Sequence, residues 1–210
     1  MATAITHVVF DVGNVLIEWD PIHLYQSLIP DAAEREDFLT RICSMEWNLQ
    51  QDLGRGWAEA VAELSAEHPE KAELIAAYSN RWHDMVPGAI DGTVEILEEL
   101  KQADVPLYAI TNFSSEKWLE ATTRFDFLKT SFIDTVVSAE ERIIKPDARI
   151  YEALLGRNAL NAAACVFIDD SPKNVEGAKA VGLEALHFTS PEKLRRDLLE
   201  LGLPLVKRTA

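Results

Sequence analysis

Cysteine is scarce in this chain, with Cys43 and Cys165 the two examples in 210 residues. They lack metal-ligand spacing and provide no disulfide framework, so an apolar core has to hold the fold and a reducing cytoplasm is the simplest compartment. Basic residues are also few, 20 against 35 acidic ones, for a formal net charge of −15. Such a surface repels nucleic acid and anionic membranes, which removes both as expected partners. A small anionic substrate stays compatible, because a local site can be positive on an acidic protein. No apolar run approaches the roughly 20 residues of a membrane span. The first such run, Ile5 to Phe10, has no basic segment before it and meets Asp11 too early for a signal peptide. Internal repeats and low-complexity tracts are absent. What remains is 48% hydrophobic and 26% charged, the balance of a globular chain that buries a sizeable core. Its length allows one large domain, or one domain with a smaller insertion.

Ile5 to Phe10 reads as a buried strand ending on a carboxylate, Asp11, followed by Gly13 and Asn14, which tolerate unusual backbone angles. Leu16 to Trp19 reads as a short extended piece. Asp20-Pro21 is a helix start, with Asp as N-cap and Pro at the first helical position. From Ile22 to Met85 the apolar periodicity is almost wholly helical, broken at Pro30-Asp31, Gly54-Arg55-Gly56 and His68-Pro69. Beyond Val86-Pro87-Gly88 helices and strands alternate. Strands are expected at 106–111, 133–137, 164–168 and 184–188, with helices at 90–102, 115–125, 147–157, 172–181 and 191–201. The tail from Val206 to Ala210 is expected to be loose. Alternation of this kind predicts an α/β fold, a doubly wound (Rossmann-like) parallel sheet covered on both faces. The division is a core of residues 1–17 and 87–210 with an inserted all-helical cap, residues 18–86, lying over the suspected site.

Chemistry-bearing residues fall at the carboxyl ends of successive strands: Asp11, then Thr111-Asn112, then Lys145 in Ile144-Lys145-Pro146-Asp147, then Asp169-Asp170. A parallel sheet brings these ends to one edge, where α/β proteins bind ligands. Each alone reads as a turn, a cap or a solvated lysine. Together they suggest phosphoryl transfer through an aspartate. Clustered carboxylates need a divalent cation between them, and Mg²⁺ suits oxygen ligands and phosphate. Asp11 is then nucleophile and metal ligand, Asp170 a second ligand, Asp169 a ligand or its support, and the Gly13 carbonyl a further oxygen. Lys145 pairs with the phosphate and the nucleophile. Thr111 binds a phosphate oxygen, helped by backbone N–H groups near Asn112.

These motifs resemble the haloacid dehalogenase-like hydrolase superfamily with a helical cap. The stretches that carry the resemblance are Phe10-Asp11-Val12-Gly13-Asn14-Val15, Ile110-Thr111-Asn112, Lys145-Pro146-Asp147 and Phe167 to Ala178. The resemblance implies a Mg²⁺-dependent phosphatase acting on a small phosphorylated metabolite. Asp11 is its nucleophile, Thr111 and Lys145 bind the transferred group, Asp170 holds the metal, and Asn174 orders the loop. Family phosphatases usually carry a second aspartate two residues after the nucleophile to move protons; here that position is Gly13. The Asp-x-Gly-Asn-Val opening is similar to the branch of the bacterial α-D-glucose-1-phosphate phosphatase, whose leaving groups depart readily, so a sugar phosphate is the expected substrate. Two alternatives remain at this point: a 2-haloacid dehalogenase, for which Arg41 or Arg55 would have to bind halide, and a non-catalytic binding protein of the same fold. Helical spacing assigns most of the large insertion residues to core packing, and Trp47 and Arg55 are the lesser candidates to face the site. The protein is expected to be a monomer or homodimer.

Overall fold

A computed structural model describes residues 3–206; the last four residues of the tail lie outside the described range. The chain opens with β1 (His7–Phe10) and then runs through α1 (Pro21–Leu28), α2 (Ala32–Arg41), α3 (Met45–Asp52), α4 (Trp57–Glu67) and α5 (Ala72–Asn80). It returns through α6 (Asp91–Gln102), β2 (Leu107–Thr111), α7 (Ser115–Arg124), α8 (Asp126–Thr130), β3 (Asp134–Val137), α9 (Ser138–Glu141) and α10 (Ala148–Arg157). It closes with β4 (Cys165–Asp169), α11 (Pro172–Ala180), β5 (Glu184–His187) and α12 (Pro191–Glu200).

The strands form one parallel sheet in the order β3-β2-β1-β4-β5. β2 and β4, flanking β1, are buried at every residue, whereas the edge strand β5 is partly exposed. That is why the inner strands read as continuous apolar runs. Successive residues of β1 serve opposite faces: Val8 and Phe10 pack with Ile96, Leu97, Leu194 and Leu198, while Val9 packs with Ile110, Ile150, Leu154 and Phe167. The winding direction reverses between β1 and β4, and a crevice opens at such a point, at the carboxyl ends of the strands.

Local chemistry sets the helical stretch. Asp20 accepts from the Ile22 N–H at 2.8 Å with Pro21 opening α1; Asp31 caps α2 through Glu34 N, and Ser44 caps α3 through Trp47 N. Aromatic packing joins these helices, with Tyr25 against Phe38 at 5.0 Å between ring centroids and Trp57 stacked on Tyr78 at 5.7 Å. The two chain crossings between helices and sheet are tied together. Glu18 N donates to Gly88 O, Ile90 N donates to Leu16 O, and Ile17 bridges both Gly13 and Ala89. The Arg124 guanidinium donates to the carbonyls of His83, Val86 and Pro87, holding the return crossing against α7. Among the described residues, no helix is long and apolar enough to cross a membrane.

Candidate active site

The strand ends do converge. Asp11, just past β1, is 7% exposed; its main-chain N–H donates to Ile168 O, and its Oδ1 accepts from Val12 N at 2.7 Å. The tight turn behind it uses Asn14 at φ 55°, whose side chain accepts from Trp19 N at 2.9 Å. Lys145 is buried, and its Nζ lies 2.7 Å from Asp11 Oδ1 and 2.7 Å from Asp169 Oδ2, with a third bond to Ile110 O at 3.0 Å. Carboxylate oxygens of Asp11, Asp169 and Asp170 gather within 4.8 Å of one another. Burial pushes the Asp11 carboxyl well above the usual carboxylate range, against the pull of Lys145 and with the repulsion of Asp169 and Asp170 added. Asp170 is raised for the same first reason, burial, and then by Asp169. Lys145 is held above its ordinary value by its two carboxylate partners despite its burial. One ammonium faces three carboxylates, so the donor set fits a hard divalent cation that would offset the remaining repulsion.

Three expected site residues take positions that sharpen their roles. Asp169 belongs to the carboxylate cluster, but both its oxygens are already engaged. It accepts from Lys145 Nζ, Ser171 N and Asn174 Nδ2, and it is fully buried. It therefore anchors Lys145 instead of facing the cavity. Asn112 lines the cavity, yet its side chain brackets the Lys145 peptide, accepting from Lys145 N at 2.8 Å and donating to Lys145 O at 3.2 Å. Its side-chain amide is thus spent on the lysine loop, and the donors expected at the phosphate were backbone N–H groups near Asn112. Thr111 closes β2 and is 1% exposed, beneath the cavity lining. Asn174 performs the ordering role expected of it. Gly177 is required one turn later, since a Cβ there would lie 2.8 Å from Pro146, whose peptide with Lys145 is cis.

The cavity above this cluster has a volume of about 220 Å³. Its sheet wall includes Asp11, Gly13, Asn112, Lys145, Asp170 and Asn174. Its helical wall is Trp19, Met45, Asn48, Leu49, Asp52, Trp57 and Trp82. Trp47, a lesser candidate to face the site, packs edge-on against Trp57 and Tyr78 as core. Arg55 bonds Gln51 and pairs with Glu63, and Arg41 pairs with Asp37 on the surface; among the described residues no arginine lines the cavity. Asn48, Asp52, Ser114 and Lys117 were missed by sequence reasoning. All four are buried polar residues that the helical periodicity alone does not assign to a face, although the polar turns in α3 break its apolar pattern. Burial pushes the Asp52 carboxyl up to about 7, opposed by a hydrogen bond from the Ser114 backbone. The helical wall is fastened to the sheet side through Trp57 Nε1 to Ser114 Oγ at 2.8 Å, Lys117 Nζ to Ser79 O at 2.8 Å, and Ser138 Oγ to Asp52 O at 2.6 Å.

A family model described as haloacid dehalogenase-like hydrolase matches residues 8–188, a span that includes every strand end above. The chain belongs to this family. It is accordingly a hydrolase. A sesquiterpene phosphatase of Aspergillus oryzae is 28% identical over 96% of this chain and 98% of its own length. Flavin mononucleotide hydrolase 1 of Arabidopsis thaliana is 30% identical over 54% of this chain and 46% of its own length, so the chain spans about half of that relative. Among solved structures, a family enzyme of Bacteroides thetaiotaomicron in complex with magnesium and inorganic phosphate superposes with a TM-score of 0.70, at 21% identity, over 89% of this chain and 96% of that one.

Proposed function

We propose that the protein is a Mg²⁺-dependent phosphatase that hydrolyses a small phosphate monoester, a sugar phosphate by our reading, through a phosphorylated Asp11. The observation that carries this is the buried Asp11–Lys145–Asp169 chain beside Asp170, at the floor of the cavity. A carboxylate on a short turn, oriented by Val12 N and held against an ammonium, is an activated nucleophile. Asp11, Asp170 and the Gly13 carbonyl would hold the metal, with Asp169 fixing Lys145 behind them. The metal when bound supplies charge neutralisation for phosphate and carboxylates.

In the first half-reaction Asp11 attacks phosphorus and the ester oxygen departs with the bonding pair, taking its proton from solvent because Gly13 has none to give. Lys145 and the main chain at Asn112 stabilise the transferring oxygens, with Thr111 packed beneath them. Water then attacks phosphorus, the bond to Asp11 breaks, and phosphate leaves with the carboxylate restored. The helical stretch, residues 18–86, acts as a cap, excluding water through its aromatic wall. A volume of about 220 Å³ favours a small leaving group. The named relatives act on a sesquiterpene phosphate and on flavin mononucleotide, so related chains accept alcohol parts of very different polarity. Two buried, unpaired cysteines agree with a reducing, cytoplasmic setting. The dehalogenase alternative is opposed by a cavity that no arginine lines among the described residues, and the binding-protein alternative by the complete ion-paired nucleophile.

The test is turnover of a sugar-phosphate panel and p-nitrophenyl phosphate by wild type and Asp11→Asn, each with Mg²⁺ and after chelation. Wild-type turnover that requires Mg²⁺ and falls to background in Asp11→Asn is expected. Phosphatase activity that survives complete chelation would sink this reading.

A further inference from the structure

We propose that Asp52, with Asn48, is the specificity-determining pair of the cavity, receiving hydroxyl groups on the leaving alcohol of the substrate. This rests on the phosphatase reading above and adds to it the chemistry of the part that is not phosphate.

The helical wall that faces the leaving group is nearly all apolar or aromatic: Trp19, Met45, Leu49, Trp57 and Trp82. Indole N–H groups aside, Asn48 and Asp52 are the polar side chains in it. They stand one turn apart on α3, each 8% exposed, with Asn48 Nδ2 donating to Asp52 Oδ2 at 3.1 Å. The pair is positioned from the sheet side. Ser138 donates to the Asp52 carbonyl, and the Ser114 backbone donates to the Asp52 carboxyl. Asp52 is therefore held in place from the sheet side.

Neither residue has another task in the reaction. Asp11, Lys145 and Asp170 supply the nucleophile, its counter-charge and the metal site, while Lys117 is already engaged with Ser79 O and Glu120. Asp52 is the cavity's remaining carboxyl. A carboxyl group in an aromatic enclosure is costly unless something bonds to it when water is expelled. A hydroxylated ring meets both demands, laying its C–H faces on tryptophan and its hydroxyls on Asn48 and Asp52. A hydrocarbon chain meets only the first and brings the pair no bond beyond those from Asn48 and the Ser114 backbone. The polar pair thus separates this chain from what the name of its Aspergillus oryzae relative implies. Sites built to bond a hydroxyl discriminate strongly against analogues lacking it.

The experiment compares a hexose 1-phosphate with cyclohexyl phosphate, a six-membered ring without hydroxyls, in wild type, Asp52→Leu and Asp52→Asn, with Mg²⁺ present. The readout is the ratio of kcat/KM values for the two substrates within each protein, which a partly unfolded preparation leaves unaltered. The wild-type preference for the hexose phosphate should shrink by about tenfold or more in Asp52→Leu, chiefly through KM. Asparagine both donates and accepts, so Asp52→Asn should keep most of the preference. An unchanged ratio in Asp52→Leu overturns the proposal, as does a wild type that prefers cyclohexyl phosphate. Equal loss of kcat in both variants overturns it as well, because that is the mark of proton transfer. Failure of wild type on every phosphate ester strikes the phosphatase reading itself, which separates the two.

Discussion

The two walls of the cavity were built by different rules. The sheet wall takes its residues from strand ends and the turns beside them: Asp11 after β1, Asn112 after β2, Asp170 after β4, with Lys145 held between them. Parallel pairing fixes which strand ends meet, so their meeting follows from topology. The helical wall takes its residues from separate helices whose mutual packing decides which face turns inward. Trp57 lines the cavity and Trp47 stands behind it, although both are large aromatics on adjacent helices. Chemistry common to the reaction sits on the wall that topology fixes, and choice of substrate sits on the wall that packing fixes.

The first way to break this contrast is at Lys145. Replacing it with Met leaves Asp11 and Asp169 without their shared cation, a buried imbalance that costs about 3–5 kcal/mol when one partner is removed. Urea denaturation without Mg²⁺ should show that loss, with turnover at background. A Lys145→Met protein of undiminished stability would mean that the sheet wall is not the electrostatic unit described here.

On the helical wall the corresponding test is pH. Asp52 holds its proton up to about 7 in the folded protein, whereas an unfolded aspartate releases it near 4. Between those values the folded state binds more protons, so stability falls as pH rises through the window, by up to roughly 4 kcal/mol. Asp52→Asn removes the titration. The variant should gain on wild type between pH about 4 and about 7 and run parallel to it above, as followed by chemical denaturation across that range. Parallel curves throughout would show that Asp52 is ionised in the fold.

Gly13 offers a smaller effect that sharpens the comparison by adding to the sheet wall what it lacks. A Cβ built there meets no atom within 4 Å, so a side chain has room. Gly13→Asp should raise turnover of alkyl phosphates by about tenfold or more, by supplying a proton donor, with little change for p-nitrophenyl phosphate, whose leaving group needs none. Equal response from both substrates would argue against a missing acid.

The same division explains what could be read in advance. The parallel α/β core, the helical stretch between β1 and β2, and the meeting of Asp11, Lys145, Asp169 and Asp170 were all legible, because each depends on local pattern and strand order. The cap at Asp20 was legible for the same reason. The engagement of Asn112 with the Lys145 peptide was not, since it joins residues 33 apart through a loop without periodicity. Asp169 was assigned to a group whose membership was right, but which of two adjacent carboxylates faces the cavity depends on β4 alternation carried one residue past its expected end. Asn48 and Asp52 were not singled out, because a short polar helix does not show which of its faces tertiary packing buries.

The most direct measurement is acid quenching of the enzyme during turnover with Mg²⁺ and a sugar phosphate, followed by peptide mass spectrometry. A phosphoryl group on the peptide containing Asp11, absent from Asp11→Asn and absent without Mg²⁺, is the predicted result. Undiminished hydrolysis by Asp11→Asn, with no phosphorylated peptide in wild type, would contradict an aspartate nucleophile at the end of β1.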